Sequence, residues 1–228
     1  MPQLTRTEIR GAFQKFNSHR SPGHRYASYD YCFNYFHSFH NKEEIAFPQN
    51  LEKSCLVLGY YLASWGMHRG KSFISQNSIR NYISIIKWIA NDCSKDVWKI
   101  DINLYNEKNI GILRDAYNEI RNKILPAGYR HITLVTKIML GVFGNTPAFD
   151  DNFIKTFSYN CDGIPAFTRF SIDSLEAIKT FYDNNEPIIR TFRNNCHIYN
   201  FRTGSQTHKL YTYAKIIDMI GFGYQLPE

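Results

Sequence analysis

Two adjacent carboxylates, Asp150 and Asp151, stand in the stretch VFGNTPAFDDNFIK at residues 142 to 155, where an apolar helical run ends in a Gly-Asn-Thr-Pro turn and a second amphipathic run begins. A carboxylate at a helix start is kept ionised by the positive end of the helix dipole. Such a group can stabilise a developing positive charge, or orient and deprotonate a water molecule. The same residues also suit a purely structural task, an N-cap followed by a first-turn acid. Spacing alone leaves both readings open.

Two further stretches carry chemical capacity. The loop WGMHRGKS places Trp65, Met67, His68, Arg69 and Lys71 in a short span, which offers stacking and cationic contacts. It is not a phosphate-binding loop of the nucleotide-hydrolase type. That motif needs four residues between its first glycine and Gly-Lys-Ser/Thr, and it follows a strand, whereas here Met67, His68 and Arg69 are the only intervening residues and a helical stripe precedes them. From Ile189 to Lys209 the chain has no acidic residue, and Arg190, Arg193, Arg202 and Lys209 are interleaved with Phe192, Tyr199 and Phe201. That mixture suits phosphate contact and base stacking, or a solvated loop whose aromatics pack inward.

The elements that must position these residues read as helices. Apolar residues recur at helical spacing at Tyr29, Cys32, Phe36 and Phe39, then at Leu51, Cys55, Leu58, Leu62 and Trp65. The stripe Ile132, Val135, Met139 and Val142 runs into the acidic pair, and Leu210, Tyr213, Ala214 and Ile217 mark the last helix. Sustained strand alternation is absent, so the expected fold class is all-α: a compact helical bundle forming one unit over residues 1 to 228, with two lobes and a cleft between them. Breaks fall at SPG (21 to 23), GMHRGKS (66 to 72), LPAGY (125 to 129), GNTP (144 to 147) and CDGIP (161 to 165).

Composition bounds the function. Hydrophobic residues make up 43% of the 228 and charged residues 21%, so the chain can bury a core and is not of the disordered class. No apolar run reaches the roughly 18 residues of a membrane span, and the start lacks the apolar core of a signal peptide, so a soluble, cytoplasmic protein is expected. Five scattered cysteines without a paired motif argue against a disulfide framework or structural zinc. His37 and His40 share helical spacing without an accompanying carboxylate or cysteine, so no metal is implied. The net charge of +7 is compatible with a polyanionic partner.

Read as a unit, LPAGYRHITLVTKIMLGVFGNTPAFDDNFIKTF at residues 125 to 157 resembles the central segment of the helix-hairpin-helix superfamily of DNA base-excision glycosylases: a hairpin, an apolar helix, and a turn carrying an aspartate before the next helix. LPAG sits at the hairpin position, and Pro147-Ala148-Phe149-Asp150 resembles the family's proline-to-aspartate spacing. The second hairpin glycine is missing. The family's nucleophilic lysine would fall near Ile132 or Thr133, and Lys137 lies more than a turn later.

The resemblance implies a monofunctional DNA glycosylase. It would hydrolyse the N-glycosidic bond of a flipped damaged or modified base, a modified base of viral DNA in antiviral defence being one such substrate. Asp150 and Asp151 would be the catalytic candidates. Trp65, Met67, His68, Arg69, Tyr61 and Tyr129 would form the base pocket, and Gly128, Arg130, Lys137, Arg190, Arg193 and Arg202 would contact DNA. It implies no cofactor, no iron–sulfur cluster and no obligate protein partner. The alternative is a noncatalytic helical module that binds DNA or RNA, its aspartates serving as caps. An enzyme is expected to hold Asp150 or Asp151 in a concave pocket near Trp65 and Arg69.

Overall fold

A computed structural model describes residues 4 to 158 and 167 to 227, and these are mostly helical. The break at CDGIP, with Cys161, lies outside the described residues. The first helix, α1 (Arg6–Ser18), starts in a capping box: Thr5 Oγ1 accepts from the Glu8 amide, and the Thr5 amide donates to the Glu8 carboxylate. Its Ile9, Ala12, Phe13 and Phe16 face the core and pack on the last helix, α9 (Tyr213–Gly223). The contact is close, because a Cβ at Gly223 would run into the Ala12 carbonyl. The two ends of the chain are therefore joined.

Helices α2 (Ala27–Ser38), α3 (Pro48–Ser64), α4 (Ile83–Asn91) and α5 (Glu107–Ile124) follow, linked by short 3-10 turns. At the centre lies α6 (Ile132–Phe143), in which every residue except Thr133 is buried. A helix apolar on all sides belongs in the middle of a protein, and α6 packs against α2, α3 and α5. Gly141 permits the approach of α3, since a side chain there would collide with the Tyr61 ring. Gly144 ends α6 with φ of 68°, a left-handed C-cap suited to glycine. Helix α7 (Asp151–Ser158) and the long α8 (Ile172–Asn194) complete the helical set.

One departure from the all-α expectation follows α8. The acid-free stretch, which suits phosphate contact and base stacking or a solvated loop, contains an antiparallel hairpin of β1 (His197–Tyr199) and β2 (Gln206–Leu210). Strands of three and five residues are too short to show alternation. The hairpin is fixed to the helices by Asp30 of α2, which accepts from the Tyr199 amide and the Tyr211 hydroxyl. Arg20 lies over the Tyr199 and Tyr211 rings and donates to the His197 carbonyl. Burial pushes the Asp30 carboxyl up to about 6 against these hydrogen bonds. Among the described residues, no helix is long and apolar enough to cross a membrane.

Candidate nucleic-acid interface

A cleft of about 560 Å³ opens between three segments: the loop after α3, the loop before α6, and the start of α7. The first wall begins where α3 ends. The Trp65 amide donates to the Tyr61 carbonyl and the Met67 amide to the Leu62 carbonyl, with Gly66 at φ of 79° making the reversal. The Arg69 side chain then folds back over Gly66, so closely that a Cβ there would lie 2.8 Å from its Nε. Ser72 and Ser75 fasten the loop by donating to the Met67 and Gly70 carbonyls. Trp65, Met67, Arg69, Lys71 and Phe73 line this side.

The second wall carries Tyr129, Arg130 and Thr133. Phe73 and Tyr129 meet at 5.2 Å between ring centroids, which ties the two walls together at one end. Gly128, at φ of 90°, turns the LPAG loop toward α6.

The floor is a buried ion pair. Lys137 Nζ stands 2.9 Å from Asp150 Oδ2, with side-chain exposures of 4% and 14%. The other oxygen, Asp150 Oδ1, accepts from the Phe153 amide, and the Asp150 carbonyl accepts from the Ile154 amide. Asp150 is thus the N-cap of α7, and both of its carboxylate oxygens are engaged. Asp151, in the first turn of α7, is exposed at the cleft edge.

The turn that delivers Asp150 is sewn to α6: Thr133 Oγ1 donates to the Phe149 carbonyl, and Thr136 Oγ1 accepts from the Phe149 amide. A second buried pair lies behind it. Lys215 Nζ is 2.7 Å from Asp218, whose other oxygen accepts from the Ala148 amide. The Trp65 ring has both ammonium groups near its face, Lys137 at 5.1 Å and Lys215 at 4.7 Å from the centroid, and it stacks on Tyr26.

The structure therefore gathers Trp65, Met67, Arg69, Tyr129, Arg130, Lys137, Asp150 and Asp151 in one concave space. Others are elsewhere. Tyr61 is buried against Gly141 between α3 and α6 and does not line the cleft. His68 turns to the Tyr82 hydroxyl, 2.8 Å away. Arg190 pairs with Glu186 on α8, and Arg193 lies over the Tyr213 ring. Arg202 sits on the hairpin turn. His37 stacks on Phe33, where burial pushes its imidazole down to about 3. Among the described residues, no cluster of three or more His, Cys, Asp or Glu is placed to hold a metal.

Sequence reasoning placed Lys137 on a phosphate and missed its pairing with Asp150. A signal was present: a lone lysine in ITLVTKIMLGVF must find a carboxylate if the helix is buried on all sides. It also left out Phe73 and Thr133, which packing alone brings to the cleft.

A family model for the phage integrase SAM-like domain matches residues 9 to 110, just under half of the chain. The match runs from α1 to the start of α5 and includes the Trp65-to-Phe73 wall. No curated protein and no solved structure matches the chain. The family match corrects the glycosylase reading. It points to an integrase-type helical domain in place of a helix-hairpin-helix base-excision enzyme, and the proposed N-glycosidic hydrolysis falls with it. Physically, the order of hairpin, helix, turn and aspartate recurs wherever a carboxylate caps a helix beside a buried lysine, so the pattern is degenerate.

Proposed function

We propose that this chain is a noncatalytic, helical DNA-binding module with a role in recombination, and that the cleft is where it meets the phosphate backbone. The carrying observation is the similarity of residues 9 to 110 to the phage integrase SAM-like domain, a family named for proteins that act on DNA. The electrostatics agree. Arg69, Lys71 and Arg130 line the cleft without an ion pair among the described residues, so their charges are available to phosphates. Asp150 holds the floor: its charge is matched by Lys137 and it fixes the start of α7. In this reading the chain is one unit of two lobes, and Trp65 and Tyr129 supply flat surfaces beside the cations.

Fluorescence anisotropy with labelled duplex DNA tests the reading. Binding at low salt should weaken in Arg69→Ala and Arg130→Ala, and DNA recovered from the mixtures should contain every base it started with. Negligible affinity of the parent at low salt would refute it, as would release of a free base detected by mass spectrometry.

A further inference from the structure

A second groove, of about 720 Å³, lies between α2, α3 and the turn of the hairpin, and shares no lining residue with the central cleft. Its most conspicuous feature is aromatic surface left in water: Phe201 is 74% exposed and Tyr60 62%, with Leu56 at 49% between the elements. Phe201 is held out by an ordered turn. Asn200 Oδ1 accepts from the Arg202 and Thr203 amides, the Gly204 amide donates to the Asn200 carbonyl, and Gly204 has φ of 65°. From below, Tyr31 meets the Phe201 ring edge-on at 5.1 Å and is itself anchored by donating to the Pro22 carbonyl. An exposed phenyl ring supported in this way is a platform.

Charge identifies what the platform would take. Lys53 and Arg202 line the groove, Lys209 reaches its edge through Asn34, and no acidic residue is among the lining residues. Asn34 and Asn200 add amide groups. Aromatic faces flanked by cations and amides complement a chain that alternates flat bases with phosphates, and duplex DNA keeps its base faces stacked out of reach. We infer that this groove is a binding site for single-stranded nucleic acid, with bases stacking on Phe201 and Tyr60 and phosphates contacting Lys53 and Arg202. It stands apart from the duplex-binding cleft and extends that reading to a strand-separated substrate.

The test uses the full chain and a fluorescein-labelled oligothymidylate of about fifteen nucleotides, near the upper end of the roughly 4 to 16 nucleotides that one binding domain covers. Phe201→Ala and Tyr60→Ala should each weaken binding by about 5-fold or more, the lower bound for losing one stacked base. Both should leave affinity for duplex DNA within about twofold. Arg202→Ala should lower the slope of log affinity against log salt by about 0.7. An oligothymidylate affinity unmoved in the Phe201/Tyr60 double variant overturns the inference, and so does absence of oligothymidylate binding at low salt. Self-association of the parent that disappears in Phe201→Ala would assign the groove to a second copy of the chain and also overturn it. Duplex binding by the Arg69 and Arg130 variants is read on a separate probe, so either site can fail without the other.

Discussion

Replacing Asp150 with Asn separates the structural role of the carboxylate from every other role. Asn keeps an oxygen for the Phe153 amide and is as good an N-cap as Asp, so α7 should still start at residue 151. What is lost is the charge opposite Lys137. At 2.9 Å, with an effective dielectric of about 20, the pair's Coulomb attraction is about 6 kcal/mol. Removing one partner of a buried pair costs about 3 to 5 kcal/mol, because the remaining charge is left uncompensated. With the Lys137 side chain 4% exposed, Asp150→Asn should fall in that range. Lys137→Met should cost less, since Asp150 keeps its cap and some contact with water. The double variant Lys137→Met/Asp150→Asn, which removes both charges, should recover most of the loss. Urea unfolding followed by circular dichroism would read Asp150→Asn as a midpoint lower by about 1 to 2 M, taking a slope near 3 kcal/mol/M. An Asp150→Asn midpoint equal to the parent's, or a double variant that loses the sum of the two single losses, would refute the reasoning.

Other substitutions and conditions test other parts of the structure. Gly66→Ala places a Cβ against Arg69 at a backbone φ of 79°, so it should cost about 1 to 2 kcal/mol in the same unfolding assay and weaken duplex binding by displacing the guanidinium. For Asp30 the folded carboxyl titrates at about 6 against 3.8 unfolded, so the folded state binds more protons between those values and stability is lost as pH rises through them. The difference in unfolding free energy between Asp30→Asn and the parent should therefore shift by about 2 kcal/mol in favour of the variant from pH 4 to pH 7, and a flat difference would contradict the burial of that carboxyl.

Much of the helical framework was legible in the sequence because helical periodicity is a local property. The stripe through Ile132, Val135, Met139 and Val142 became α6, and the glycine of GNTP became its left-handed cap. The hairpin of His197–Tyr199 and Gln206–Leu210 was not legible: its strands are short, and what holds them is Asp30, far away in the sequence. The cleft was legible in part. Trp65, Arg69, Tyr129 and Asp150 were singled out and are together, since Trp65 and Asp150 cap helices and Arg69 and Tyr129 lie in the loops that converge there. Tyr61 was not brought there because it sits on the buried face of α3, and His68 because the loop after α3 turns its ring to the Tyr82 hydroxyl. The glycosylase reading failed for a different reason. A helix-capping aspartate after a proline turn has the same local sequence whether it serves chemistry or an ion pair, and the similarity that overturns the glycosylase family lies elsewhere in the chain, over residues 9 to 110.

The salt dependence of duplex DNA affinity bears most directly on whether the cleft binds phosphates. The parent should show log affinity falling linearly with log salt. A triple variant, Arg69→Ala/Lys71→Ala/Arg130→Ala, should lower that slope by about 2 to 3, roughly 0.9 for each phosphate contact removed. A parent that binds DNA with a slope unchanged in the triple variant would place the interface elsewhere on the molecule.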